Sequence, residues 1–355
     1  MSFVFSRINK VLFLIAIFNC VLINNVFSQH DTTYYKQYPH KLVLTLYQSL
    51  IREHNIQFSQ DNSSDSLGIS TLNYASQAKS FTGLAFDYDL FGLSIGVNTL
   101  PTESTKKGNS HNTNIGFTFG SNKLSFEASY RNYKGFYEKN TANYTPNFTE
   151  QTPYFQKASM QFIGLKFKVF YYSNNKKFSY KAAYASTHRQ LKSAWSPIYS
   201  AGLYYNNLGT DSTFFPYQIR IYYERAKNVT NVGVTGLSTG AGLSGNLVFG
   251  KKFFINATGL LALESQWRNY EFLNGENVSR GYFALGGDFR ASIGYNSEKF
   301  MCFISSMYDF SKWNNANLNI NNQFLSGQIN FAYRFGVKKP KWYHVIEDNK
   351  IYKWF

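Results

Sequence analysis

FTGLAFDYDLFGLSIGVN, residues 81–98, holds the pattern that decides the fold. Phe91, Leu93, Ile95 and Val97 alternate with Gly92, Ser94, Gly96 and Asn98, and Asp89 with Leu90 supplies a tight turn just before them. Apolar residues at every second position give a strand one greasy face. The pattern spreads in both directions from there. Leu124, Phe126, Ala128 and Tyr130 alternate with Ser125, Glu127, Ser129 and Arg131, and Ile163, Leu165, Phe167, Val169 and Tyr171 are set against Lys166 and Lys168. Phe215, Tyr217, Ile219, Ile221 and Tyr223 stand against Gln218, Arg220 and Glu224. Two more such segments end the series, Phe283 to Tyr295 against Asp288 and Arg290, and Leu325 to Phe335 against Gln328, Asn330 and Arg334. Period-two segments recur from Lys41 to Gly336, and no comparable stretch reads as a helix.

The connections come in two lengths. Short turns fall at 89–90, 121–123, 173–177, 208–212, 250–252 and 296–299, and longer polar loops at 99–111, 136–157, 189–194, 226–232, 271–280 and 314–321. With a first strand over 41–58, short and long connections alternate so that every short turn lies at the end holding both termini. Short periplasmic turns, longer external loops and an even strand count are the rule for transmembrane β-barrels. Aromatics flank the short turns: Tyr88 and Phe91, Phe119 and Phe126, Tyr172 and Phe178, Tyr205 and Phe214, Phe249 and Phe253, Tyr295 and Phe300. Amphipathic rings at one height form an interfacial girdle. The expectation is an all-β, transmembrane, antiparallel up-and-down barrel of about fourteen strands, with twelve as the alternative.

Composition agrees with a membrane barrel. The chain has 34 Phe and 28 Tyr yet a mean hydropathy of -0.33, so its apolar residues are interleaved with polar ones. Arg7 and Lys10 precede an apolar run that ends at Val26, Phe27 and Ser28, the pattern of a secretory signal peptide cleaved before Gln29. Lipid modification at Cys20 is the weaker alternative, because Asn19 precedes it and Val21 follows. After cleavage Cys302 stands alone, which excludes an internal disulfide and a cysteine-based zinc site. The chain thus divides into a signal peptide (1–28), a periplasmic lead (29–40), the barrel (41–336) and a basic, aromatic periplasmic tail (337–355). The net charge of +16 is scattered rather than striped, which argues against nucleic acid and for outer-membrane lipid headgroups.

The hairpin at 81–98 with Gly83, Gly92 and Gly96, a leader ending Phe27-Ser28-Gln29 and a last strand reading INFAYRF (329–335) together resemble an uncharacterised family of Bacteroidota outer-membrane β-barrels, known only as a domain of unknown function. The resemblance implies an outer-membrane location and no known activity. One departure is that the closing alternation ends well before Phe355.

No catalytic or metal-binding spacing is present. GxSxG, HExxH, a phosphate-binding glycine loop and paired cysteines are all missing, and Asp61, Asn62 and Asp65 lack the rest of a calcium loop. Ser186 and His188 share a strand face, a weak pointer to a hydrolase. No enzyme and no cofactor are expected. The chemistry on offer is the lumen, assigned Glu127, Lys166, Lys168, Lys181, Arg220, Glu224, Asp288, Arg290 and Arg334, because a charge on the lipid face costs about 2–4 kcal/mol at the midplane. This points to a narrow pore for small anionic solutes, and inward Tyr184, Tyr204, Tyr222 and Tyr282 favour a closed lumen over an open one. The alternative is a scaffold barrel that anchors an envelope or secretion complex through its loops and tail. In the tail, Lys338, Lys339, Lys341, Trp342, Trp354 and Phe355 are the candidate contacts to a periplasmic protein.

Overall fold

The computed structural model describes residues 30–60, 71–77, 80–99, 106–223, 226–314, 318–339 and Tyr343. The signal peptide, the acidic stretch at 61–65 and the tail residues Lys341, Trp342, Trp354 and Phe355 lie outside the described residues.

The strands are β1 (Tyr35–Gln37), β2 (Lys41–Ser59), β3 (Leu72–Gln77), β4 (Phe81–Tyr88), β5 (Phe91–Asn98), β6 (His111–Gly120), β7 (Leu124–Glu138) and β8 (Gln156–Tyr172). A short helix α1 (Lys181–Tyr184) is followed by β9 (His188–Gln190), β10 (Ala194–Gly209), β11 (Val229–Phe249), β12 (Phe253–Phe272), β13 (Asn277–Asn296), β14 (Phe300–Lys312) and β15 (Asn319–Gly336). All pairings are antiparallel, and β15 pairs with β2 from Asn319↔Ser59 to Gly336↔Lys41, so the sheet closes on itself. Closure leaves no edge whose backbone groups would face hydrocarbon unpaired. No described helix is long and apolar enough to cross a membrane.

Twelve strands make the wall, with β3 as an extra piece. β2 pairs with β4 from Leu42 to Ser49 and with β3 from Glu53 to Phe58, while β3 reaches β7 at Tyr74↔Glu138. The short strands β4 to β6 therefore wall only the half nearer the short turns, and β3 replaces them beyond it. Ser76 Oγ donates to Asn112 Oδ1 at 3.0 Å across that seam.

The count of about fourteen resolves to its lower alternative because two expected strands are not in the wall. Residues 178–188 fold into the bore as α1 and the start of β9. Residues Tyr217–Tyr223 form a 3-10 turn in the connection between β10 and β11. Its alternation misleads for a physical reason: Phe215, Ile219 and Tyr223, four apart, are buried, whereas Tyr217 and Ile221 are 83% and 77% exposed. That is one face of a helical coil, not of a strand. In consequence 208–212 lies at the long-loop end and 189–194 at the short-turn end, and the expected loop at 271–280 is only the turn between Phe272 and Asn277.

Along the wall the alternation separates two chemistries. On β12 the outward residues from Phe253 to Trp267 are uncharged and mostly apolar, while Asn256, Glu264, Gln266 and Arg268 point inward and are buried. At about 3.3 Å per residue and a tilt of about 45°, that run rises about 33 Å, close to the roughly 30 Å of a hydrocarbon core. Tyr88, Phe91, Phe119, Phe126, Phe253, Tyr295 and Phe300 do cluster at the turns, with Phe91 and Phe119 rings 5.0 Å apart and Phe253 and Tyr295 5.3 Å apart. Tyr172, Phe178 and Phe214 depart from the expected girdle, since all three are buried inside.

Rings inside the wall need room on the facing strand. Tyr204 lies over Gly236 and Tyr47 over Gly83, each directly opposite in register, so that a Cβ on either glycine would collide with the ring. Gly236→Val should therefore cost about 1–3 kcal/mol in urea unfolding from detergent micelles, the range for overpacking. Gly327→Ala, with open space at its Cβ, should change the midpoint little.

Candidate functional site in the lumen

At the short-turn end the connection from β8 to β10, residues 173–193, turns into the bore as a plug. Small residues let it fit: Ser179 Oγ accepts from Ala182 N at 3.3 Å to start α1, and Ser186 turns the chain with φ of 58°. Wall side chains then take up its backbone carbonyls. Asn246 Nδ2 donates to Ser179 O at 2.8 Å, Asn296 Nδ2 to Ala182 O and His188 O at 3.1 Å each, and Ser292 Oγ to Ala183 O at 3.3 Å. Arg334 donates from Nε to Ser186 O at 2.5 Å and from a terminal nitrogen to His188 O at 3.2 Å. Lys181 reaches Gly120 O at 2.5 Å and Asp89 O at 3.2 Å. The lead closes over this plug, because β1 pairs with β9 from Tyr35↔Gln190 to Gln37↔His188 and the Arg334 guanidinium lies 4.2 Å from the Tyr38 ring.

Across the middle of the bore, ion pairs join opposite walls. Arg131 on β7 meets Asp309 on β14 at 2.8 Å, and Lys166 on β8 is 3.7 Å from the same carboxylate. Lys168 meets Asp288 at 3.3 Å, and Arg290 bonds Asp288 at 2.9 Å and Glu127 through two nitrogens at 2.9 and 3.1 Å. Asp288 faces Asp309 directly across β13 and β14, and two adjacent carboxylates hold together only with cations beside them, which Arg131, Lys166 and Lys168 supply from the far wall and Arg290 from β13 itself. Four cations meet three carboxylates here. Above them Glu264 accepts from Tyr204 at 2.7 Å, Gln266 at 2.6 Å and Ser311 at 2.6 Å.

The long-loop end is closed by an apolar cluster in which Phe214, Phe215, Ile219 and Tyr223 from the β10–β11 connection pack with Phe58, Tyr74, Phe136, Val232, Val234 and Trp313. Tyr223 OH donates to Phe58 O at 3.1 Å. Between these closures remain two adjoining lobes of about 290 and 260 Å³ that share Ala85, Asp87, Ser94, Asn114, Arg131 and Arg290 in their walls. The space exists because β4 to β6 turn small inward residues to the bore, among them Ala85, Gly92, Ser94 and Gly116.

The structure thus brings Glu127, Lys166, Lys168, Asp288 and Arg290 into one network and sets Arg334 and Lys181 in the plug contacts. Arg220 does not belong to the lumen: it sits in the loop-end 3-10 turn and bonds Phe215 O at 2.9 Å. Glu224 lies outside the described residues. Tyr204 faces inward, Tyr184 reaches Asn256 Oδ1 at 2.7 Å from the plug, Tyr282 stacks 4.3 Å from Arg268, and Tyr222 is on the surface loop. Arg52, Arg131, Glu264, Arg268 and Asp309 were missing from the sequence assignment. For Arg131 the alternation with Glu127 already held the signal. His188 bonds Ser179 Oγ at 2.7 Å, not Ser186, and both groups are buried in the plug. Of the tail, Lys338 is exposed, whereas Tyr343 is buried edge-on against Tyr88 with ring centres 4.9 Å apart.

A family model described as a domain of unknown function (DUF4421) matches residues 29–335. No curated protein matches the chain. Among solved structures, the outer membrane protease OmpT from Escherichia coli is similar at 8% identity, covering 88% of this chain and 100% of its own, with a TM-score of 0.37. The translocator domain of the autotransporter NalP from Neisseria meningitidis is similar at 9% identity over 93% and 96% of the two chains, with a TM-score of 0.31. The toluene transporter TodX of P. putida follows at 9% identity over 84% and 91%, with a TM-score of 0.29.

Removing one partner of a buried pair leaves its counter-charge stranded. Arg290→Met, which strands Glu127 and loosens Asp288, should cost about 3–5 kcal/mol in urea unfolding. Lys166→Met, whose carboxylate keeps Arg131, should cost about 1 kcal/mol or less. The reverse order would contradict the network.

Proposed function

We propose, for a chain that belongs to the family described as a domain of unknown function (DUF4421), a barrel of the outer membrane whose lumen is shut at rest and passes small anionic solutes only when its plug withdraws. The observation that carries this reading is the plug itself, residues 173–193, a separate piece of chain held to the wall by side-chain hydrogen bonds and by the packing of Phe178, Tyr180 and Ala183 rather than by strand pairing with it. A wall strand cannot leave without opening the sheet, whereas this segment can leave with the sheet closed once its wall contacts and its pairing with β1 are broken. The mid-lumen excess of cations supports anions as the class. Export through a cleaved leader at 1–28, a Bacteroidota source and short turns facing the periplasm complete the reading, and the chain works without catalysis.

One observation favours a second reading, in which the barrel serves as a scaffold. Tyr343 ties the start of the tail to the turn end beside Tyr88 and Phe91, which would present the following basic and aromatic residues to a periplasmic protein.

Planar-bilayer recording separates the two. Wild-type protein should be silent or open rarely, and replacing 175–191 with a short Gly-Ser turn should give steady steps with anion preference. A plugless barrel that folds and stays silent would remove the transport reading and leave the scaffold one.

A further inference from the structure

We propose that the smaller lobe of the lumen is a binding site for a small organic carboxylate, with Arg52 as its anchor. Arg52 lines that lobe, is 4% exposed, and its Nε is buried without a hydrogen-bond partner. Its guanidinium has only ring contacts, 3.8 Å from the centre of Phe81 and 5.0 Å from that of Phe324. Among the described residues it forms no ion pair and donates no hydrogen bond. The other two arginines of the lobe differ, since Arg131 is held by Asp309 and Arg290 by Asp288 and Glu127. Asp87, the carboxylate in the same wall, makes no ion pair with Arg52.

The backbone goes out of its way to place this cation. In β2 the register against β15 slips between Ile51↔Gly327 and Ser49↔Gln328, so that Leu50 is an extra residue. Leu50 and Ile51 both face outward, at 59% and 51% exposed, and the inward phase restarts at Arg52. Without that bulge, strict alternation from Thr45, Tyr47 and Ser49 would turn Arg52 to the outside. Bulges of this kind re-aim a side chain beside functional sites. A buried guanidinium presents a planar fork of donors that matches a carboxylate in two parallel bonds.

The rest of the lobe selects the body of the ligand. Tyr47, Phe303 and Met307 offer apolar surface, and Ser326, Gln328 and Asn330 offer hydrogen-bonding groups. A volume of about 260 Å³ exceeds what one bound halide requires and suits a compact aromatic or branched aliphatic acid. The inference deepens the anionic-solute reading above but does not need passage, because a barrel that never conducts can still hold this ligand.

The test uses benzoate as the probe and refolds the full mature chain into detergent in its presence, so that the probe reaches the lumen whether or not the plug moves. After excess probe is removed, bound benzoate is measured together with the thermal midpoint. Wild type should retain benzoate near one per chain and gain a higher midpoint. Arg52→Gln should bind about ten- to hundredfold more weakly, the loss of one bidentate charged contact. In probe-free buffer Arg52→Gln should be at least as stable as wild type, which a purely structural arginine would not allow. Arg52→Lys, which keeps the charge and loses the fork, should fall between the two and serves if the glutamine variant does not fold. Absence of saturable benzoate from wild type, or equal binding by the variants, overturns the proposal. Equal and Arg52-dependent stabilisation by inorganic phosphate overturns the organic class. Conductance is recorded separately, so a failed pore and a failed site give different results.

Discussion

Everything in this structure depends on one constraint: a backbone amide that faces hydrocarbon must find its partner inside the protein. Twelve strands meet it by closing from β15 back to β2. Closure then dictates where side chains go, because alternate residues have only lipid or lumen to choose from. Phe253 to Trp267 on β12 take the lipid side and Asn256 to Arg268 the lumen. With charges forced inward, the lumen has to neutralise them, and it does so with pairs that span the bore, joined through Arg290 and Asp288 on one strand.

The interior is filled in three different ways along its length. Hydrogen bonds and the rings of Phe178 and Tyr180 hold the plug, salt bridges tie the middle, and an apolar cluster packs the loop end. The three respond differently to change. The plug is a separate piece of chain, a salt-bridge network loses strength when one member goes, and an aromatic cluster must move as a unit. The lobes between plug and aromatic cluster survive because β4 to β6 carry almost no inward bulk.

The wall was legible because alternation, turn length and aromatic placement all report on the same strand geometry. The lumen charges Glu127, Lys166, Lys168, Asp288 and Arg290 followed from it directly. What alternation could not show is which side of the wall an apolar residue takes beyond the membrane. Leu42, Leu44 and Leu46 face outward, while Ile56 and Phe58, at the same parity in sequence, point inward past the bulge. There the outside is water and the inside is the aromatic cluster, so the rule inverts. Residues 215–223 read as a strand because every second residue is apolar, although only every fourth, Phe215, Ile219 and Tyr223, is buried. Residues 178–188 misled differently, because a segment buried against the wall on one side carries the same mixture of rings and polar groups as the wall itself. Arg52 was hidden for the first reason, since its direction depends on one extra residue that no period reveals.

The most direct test of the account asks what the outer face touches. A single tryptophan placed at Leu261, with Trp195, Trp267, Trp313, Trp342 and Trp354 replaced by Phe, is read in bilayers whose acyl chains carry bromine at mid-depth. The same tryptophan is then moved to Ala262, its inward neighbour. Strong quenching at Leu261 and little at Ala262 is the expected result. Equal quenching at both, or a chain that stays monomeric and folded in plain buffer without lipid or detergent, would contradict it.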